Sequence, residues 1–222
     1  MNLALFDLDG TLLPIDSDHA FGQFMVDLGW ADPQAHARAN DRFYRDYQAG
    51  CLDIHAYIDF ATSAFRERSL QEISQACAQF MQQIIAPALT DAARDLVERH
   101  RSAGDQLAVV TATNDLITRP IAQAFGVQVL LATELERAPD GRPTGRVQGQ
   151  ASLQHGKVQR VQDWLATQGL TRSAFDSVTF YSDSINDLPL LEWATHPVAT
   201  NPSAALADIA QQRGWPVLRL FS

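Results

Sequence analysis

Leu3-Ala4-Leu5-Phe6-Asp7-Leu8-Asp9-Gly10-Thr11-Leu12 is the stretch that decides the fold. Its apolar start reads as a buried parallel strand. A second run, Val178-Thr179-Phe180-Tyr181, leads in the same way into Ser182-Asp183-Ser184-Ile185-Asn186-Asp187. Both acidic clusters then fall at the C-terminal ends of strands, where open α/β sheets place their sites. Gathered carboxylates repel one another unless something cationic joins them. A hard divalent cation with oxygen ligands fits best, and Mg²⁺ takes few carboxylates and keeps several waters. The pattern points to metal-assisted chemistry.

The chain has 222 residues, enough for one good-sized domain or a core with an insert. Hydrophobic residues make up 46% and charged residues 19%, as in ordinary globular chains. A net charge of -9 argues against a nucleic-acid or anionic-membrane binder. It leaves room for an anionic substrate, because a metal and one lysine can invert the local field. Met1-Asn2 lacks a basic leader region, and the first apolar run is cut short by Asp7. No apolar stretch is long enough to span a bilayer. Cys51 and Cys77 fall in helical patterns and read as two reduced thiols. The expectation is a cytoplasmic protein, monomer or homodimer.

Between Asp16 and about Ala86 the sequence is helical in period, with almost no strand signal. Phe21, Phe24, Met25 and Leu28 mark one helix, and Phe43, Tyr44 and Tyr47 a second. Ile54, Tyr57, Ile58, Ala61 and Phe65 mark a third. Leu70, Ile73, Ala76, Phe80, Met81 and Ile84 mark a fourth, stopped by Pro87. The aromatic stripes read as core. From Thr90 strands alternate with helices, with strands expected at 107–111, 127–131, 177–181, 197–200 and 217–221. A hairpin over about 133–138 and 144–150 turns at Asp140-Gly141. The architecture is α/β: a doubly wound, mainly parallel sheet over 1–15 and 87–222, with a four-helix-bundle insert over 16–86.

Asp7 is the best candidate nucleophile, since a strand-end carboxylate can attack phosphorus. Asp9, two residues on, points the same way if the chain stays extended, and can handle the proton of the leaving or entering oxygen. Gly10 frees the backbone for the following turn. A calcium or turn reading competes for this motif taken alone. Asp183 is well placed as a metal ligand, with Asn186 and Asp187 as a supporting shell behind it. Ser182, Asp183 and Ser184 are also good helix caps. Thr111 ends a buried run, and its hydroxyl, with the N–H groups of Ala112 and Thr113, could hold phosphate oxygens at a helix start; a plain turn is the alternative. Asn114 is a plausible cap for the next helix. Lys157 near a helix N-terminus gains nothing from the dipole, so another anion should lie close by. His19 and His155 read as surface residues.

In their order and spacing, Asp7-Leu8-Asp9-Gly10-Thr11, Thr111, Lys157 and Ser182-Asp183-Ser184-Ile185-Asn186-Asp187 resemble the four motifs of the haloacid dehalogenase superfamily. The resemblance spans nearly the whole chain. The helical insert, the hairpin with Gly145-Arg146-Val147-Gln148-Gly149, and Asp183 to Leu191 resemble its subfamily IB, the phosphoserine-phosphatase-like branch. This implies a Rossmann-like core with a helical cap, Asp7 as nucleophile and Asp9 as general acid/base. It implies Mg²⁺ on Asp7, Asp9 (through its carbonyl) and Asp183. Thr111, Ala112, Gly10 and Lys157 would bind the phosphoryl group, with Asn186 and Asp187 in support. Phosphoserine phosphatases place a cap glutamate shortly after the first motif and a cap arginine further on. Here Asp16, Ser17 and Asp18 fall near the first position. No arginine lines up with the second; Arg42, Arg45 and Arg66 lie nearby in sequence.

The function expected is Mg²⁺-dependent hydrolysis of a small phosphorylated metabolite of the phosphoserine or histidinol phosphate type. One alternative is a phosphotransferase to an alcohol acceptor. A second is a receiver-like phospho-aspartate switch, disfavoured because a switch needs neither a paired acid nor a cap.

Overall fold

The computed structural model describes residues 1–221. Strand β1, Asn2–Phe6, lies at the centre of a six-stranded sheet of order β3-β2-β1-β6-β7-β8. Every pairing in it is parallel, from β2 (Gln106–Asn114) and β3 (Val129–Thr133) on one side to β6 (Ser177–Ser182), β7 (His196–Thr200) and β8 (Val217–Leu218) on the other. A strand with neighbours on both edges and helices on both faces has no solvent side. This is why Leu3, Ala4, Leu5 and Phe6 are apolar without alternation and all buried. Leu3 and Leu5 face one apolar cluster with Val110, Val161 and Phe180. Ala4 and Phe6 face the other, and Phe6 stacks on Tyr181 with ring centroids 5.3 Å apart. Each buried leucine or phenylalanine among them contributes about 1.5–3 kcal/mol.

The insert after β1 carries α1 (Ser17–Asp27), α2 (Pro33–Gln48), α3 (Ile54–Ser63) and α4 (Leu70–Phe80). Asp16, Asp32, Asp53 and Ser69 cap their starts by accepting backbone N–H bonds. Phe21, Phe24, Phe65 and Phe80 join the same apolar cluster as Phe6 and Val109, so α1 and α4 are continuous with the sheet's core. The core helices are α6 (Asp91–Ser102), α7 (Asp115–Ala124), α8 (His155–Thr167), α9 (Leu188–Trp193) and α10 (Ala204–Arg213). Strands β4 (Leu135–Arg137) and β5 (Pro143–Val147) form the expected antiparallel hairpin, which packs on α3.

Three details differ from expectation. The fourth insert helix does not stop at Pro87. It widens into a π turn at Met81–Ile85 and ends in α5, Ala86–Ala88. Pro87 lies where the helix has already widened, so its missing N–H interrupts no regular i→i−4 bond. Strand β2 does not end at Thr111 but reaches Asn114, with its register against β3 slipping between Val110 and Asn114. Cys51 lies exposed in the loop before α3, not in a helix.

Candidate active site

The C-terminal ends of β1, β2 and β6 open into a cavity of about 300 Å³, closed from above by α1, α2 and α3. Asp7 follows β1 directly, its N–H donating to Tyr181 at 2.9 Å, so its carboxylate starts from a fixed strand end. Lys157 reaches the same point from the first turn of α8. Its Nζ donates to Asp7 Oδ1 at 2.9 Å and to Asp187 Oδ2 at 2.7 Å. All three side chains are buried. Burial pulls the lysine's pKa down, but the charges of Asp187 and Asp7 outweigh it and hold the ammonium protonated. Burial pushes Asp7 well up; Lys157 opposes this, and Asp187 and Asp183 add to it. The anion expected near Lys157 is therefore this carboxylate pair.

Asp9 is held from two directions. Its Oδ1 accepts the Ser17 N–H at 2.7 Å, and its Oδ2 accepts the Thr113 hydroxyl at 2.8 Å. Burial, then the charge of Asp16, pushes Asp9 up to about 6. Gly10 has φ +72°, and a Cβ there would fall 2.4 Å from Asp183 Oδ2. Only glycine lets the β1 loop come this close to the β6 loop. Thr11 joins the two loops, donating to Asp183 Oδ1 at 3.1 Å and accepting its N–H at 3.0 Å. Burial, then Asp187, raises Asp183 to about 7.

Thr111 and Ala112 line the cavity floor. Part of the expected phosphate cradle is engaged elsewhere: the Thr113 N–H donates to Thr111 Oγ1 at 3.2 Å. Asn114 caps α7, accepting the Ile117 N–H. Asp187 and Asn186 lie behind the cavity wall. Asp187 accepts from Lys157 and Ser182, and Asn186 donates to the Tyr47 carbonyl at 2.9 Å. Among the expected caps in the β6 loop, Ser184 accepts the Asn186 N–H.

Asp16 and Asp18 line the cavity, whereas Ser17, fully buried, reaches the site through its backbone N–H. Burial, then Asp16, pushes Asp18 up to about 8, with the Tyr57 hydroxyl standing against it. Several wall residues were not read as site residues from the sequence: Asn40, Tyr44 and Tyr47 of α2, Tyr57 of α3, and His19 of α1. His19, hydrogen-bonded to Asn40, stands at the cavity edge and not on a featureless surface. His155 is exposed and away from the cavity, as expected. The aromatic stripe of α2 divides: Phe43 packs on Tyr57 and Phe60, while the Tyr47 hydroxyl donates to Ser184 at 3.2 Å. Residue type alone carried no signal for that division. No arginine is among the residues lining the cavity.

The model of the haloacid dehalogenase-like hydrolases matches residues 4–192. The chain belongs to that family. It is similar to a histidinol-phosphatase of Neisseria meningitidis, 43% identical over 98% of both chains. It is 31% identical to a phosphoserine phosphatase of Mycobacterium tuberculosis, over 96% of this chain and 69% of that one. Among solved structures, a protein of unknown function from Bordetella pertussis Tohama I superposes with a TM-score of 0.93 at 48% identity, covering 99% of each chain. A substrate-bound phosphoserine phosphatase superposes with a TM-score of 0.69 at 16% identity, over 97% of this chain and 91% of that one, which is a likeness of fold.

Haloacid dehalogenase-like hydrolases characteristically use Mg²⁺. The residues here fit that ion. Asp7 is buried and Asp183 half-buried; desolvation raises both pKa values, Asp187 adds to each, and one ammonium offsets them. Among the described residues no three His, Cys, Asp or Glu side chains converge on one point. A cation here would rest on two carboxylates plus main-chain and water oxygens, the donor set of Mg²⁺ and not of zinc.

Proposed function

We propose that this chain is a phosphomonoester phosphatase acting through an aspartyl-phosphate on Asp7, and that its substrate carries a cationic amine and no carboxylate, as histidinol phosphate does. The observation that carries the proposal is the cavity's division of charge. Lys157 sits on the floor beside Asp7, while the start of α1 presents Asp16 and Asp18 to the cavity, and no arginine lines it to receive a carboxylate. An acidic wall attracts an ammonium group and repels the carboxylate of phosphoserine. The Neisseria meningitidis relative's name supports the same substrate.

In this reading the floor handles phosphate and the insert handles the rest of the molecule. Asp7 attacks phosphorus, the P–O bond to the substrate alcohol breaks, and Asp9 gives that oxygen its proton. Water then attacks the aspartyl-phosphate, Asp9 takes the water's proton, and inorganic phosphate leaves. A carboxyl near pH 6 can both give and accept at neutrality. The Thr111 hydroxyl already accepts the Thr113 N–H, so its proton is free to bond a phosphate oxygen. Lys157 stabilises the transferring charge. Asp7, the Asp9 carbonyl and Asp183 would hold Mg²⁺, which when bound neutralises phosphate oxygens as a Lewis acid. Asp187 keeps Lys157 in place and charged. Residues 16–86 act as the cap that excludes bulk water and selects the substrate.

The test is a steady-state comparison of histidinol phosphate and phosphoserine with Mg²⁺. Histidinol phosphate should have the higher kcat/KM by at least about tenfold. Asp7→Asn should abolish turnover while leaving the circular dichroism spectrum unchanged. Equal or better use of phosphoserine removes the substrate assignment, and turnover by Asp7→Asn removes the mechanism.

A further inference from the structure

Asp9 has two partners of different kinds. The Ser17 N–H, on the first residue of α1, can only donate, and it fixes Oδ1 as an acceptor at 2.7 Å. The Thr113 hydroxyl donates to Oδ2 at 2.8 Å, occupying one lone pair of that oxygen and leaving the other for the proton that moves. A group that moves a proton twice per cycle needs one partner that follows both states without the carboxyl turning. The Thr113 hydroxyl has that property, since it donates to Oδ2 whether or not the carboxyl carries its proton.

The backbone explains how it reaches Asp9. Strand β2 loses register against β3 between Val110 and Asn114, and Thr113 lies within that irregular stretch. It is buried and lines the cavity, and its N–H is tied back to Thr111 Oγ1. The residue that faces phosphate and the one that holds Asp9 are thus braced by one hydrogen bond.

We propose that Thr113 is a positioning residue for Asp9: with the Ser17 N–H it fixes the plane of the carboxyl, so that the proton is aimed at the leaving oxygen and later taken from water. This rests on the phosphatase reading above. The covalent steps are those already given; Thr113 exchanges no proton with the substrate.

Leaving-group dependence tests it. An alkyl phosphate needs its leaving oxygen protonated, whereas p-nitrophenolate departs without a proton. The ratio kcat/KM reports steps up to alcohol release. Thr113→Val should lower kcat/KM for histidinol phosphate about tenfold or more beyond any loss with p-nitrophenyl phosphate, mainly through kcat. Thr113→Ser, which keeps the hydroxyl, should recover most of the loss, and Thr113→Ala should behave as Thr113→Val does. Equal losses on both substrates, or no loss on either, would overturn the proposal. So would a Thr113→Ser enzyme as poor as Thr113→Ala. If the wild-type enzyme hydrolyses neither substrate, the phosphatase reading falls and this inference with it.

Discussion

Lys157 shows how far a single residue can be read before its neighbours are known. Its place at a helix N-terminus is unfavourable by itself, and that mismatch pointed to an unseen anion. The structure supplies two, Asp7 and Asp187, both buried. Because the pairs are buried, removing the cation leaves carboxylates without compensation. Lys157→Met should lower stability by about 3–5 kcal/mol in urea unfolding without Mg²⁺, and turnover should collapse with it. An unchanged midpoint would mean the carboxylates are already neutral and the lysine contributes nothing to folding. Asp7, Asp9 and Asp183 were legible for a simpler reason: acids that interrupt apolar runs must lie at strand ends. His19, Asn40 and Tyr47 were not, because period tells which residues share a helix face but not whether that face meets core or cavity.

The loop after β1 is the element on which the site's geometry depends. It brings Asp7 and Asp9 to the sheet end and then turns back at Gly10, against Asp183. Asn201 holds the turn from the far side, donating to the Gly10 carbonyl at 3.0 Å. Gly10→Ala meets two penalties. The residue must keep φ +72°, and its methyl must displace the Asp183 carboxylate. The expected result is a loss of about 1–3 kcal/mol in stability, together with Mg²⁺ binding weakened about tenfold or more in calorimetric titration. Full Mg²⁺ affinity in Gly10→Ala would show that Asp183 can move without cost and that the close approach has no part in the site. The glycine was readable as a turn residue, but not the contact it permits, which depends on a loop 173 positions later in the chain. The π turn at Met81–Ile85 and the slip in β2 were equally hidden. Each is a local departure from a regular period, and period is the signal by which a sequence shows its elements.

For the whole molecule the governing fact is that the acids are unevenly spread. The chain carries a net charge of -9 and still builds its cavity from carboxylates. Their cost shows as pKa values raised in the fold: Asp9 to about 6, Asp183 to about 7 and Asp18 to about 8. An acid raised on folding binds more protons in the native state than in the unfolded one, so stability falls as pH rises between its two pKa values. For Asp18 that stability is fully present below its ordinary 3.8 and gone above about 8. Asp9 and Asp183 act with the same sign over narrower ranges, and Asp18→Asn leaves them in place. The variant should therefore gain on the wild type steadily from pH 4 to pH 8, measured by urea unfolding in the presence of a chelator. A constant difference across that range would mean that Asp18 is ionised in the fold throughout. Binding should move the other way. A cationic substrate favours ionised Asp18, so wild-type KM for histidinol phosphate should fall as pH rises toward 8. Asp18→Asn should raise KM at pH 8 and flatten that trend. The same carboxylate would then weaken the free fold and strengthen the complex, which is what an acidic wall built to receive an ammonium group requires.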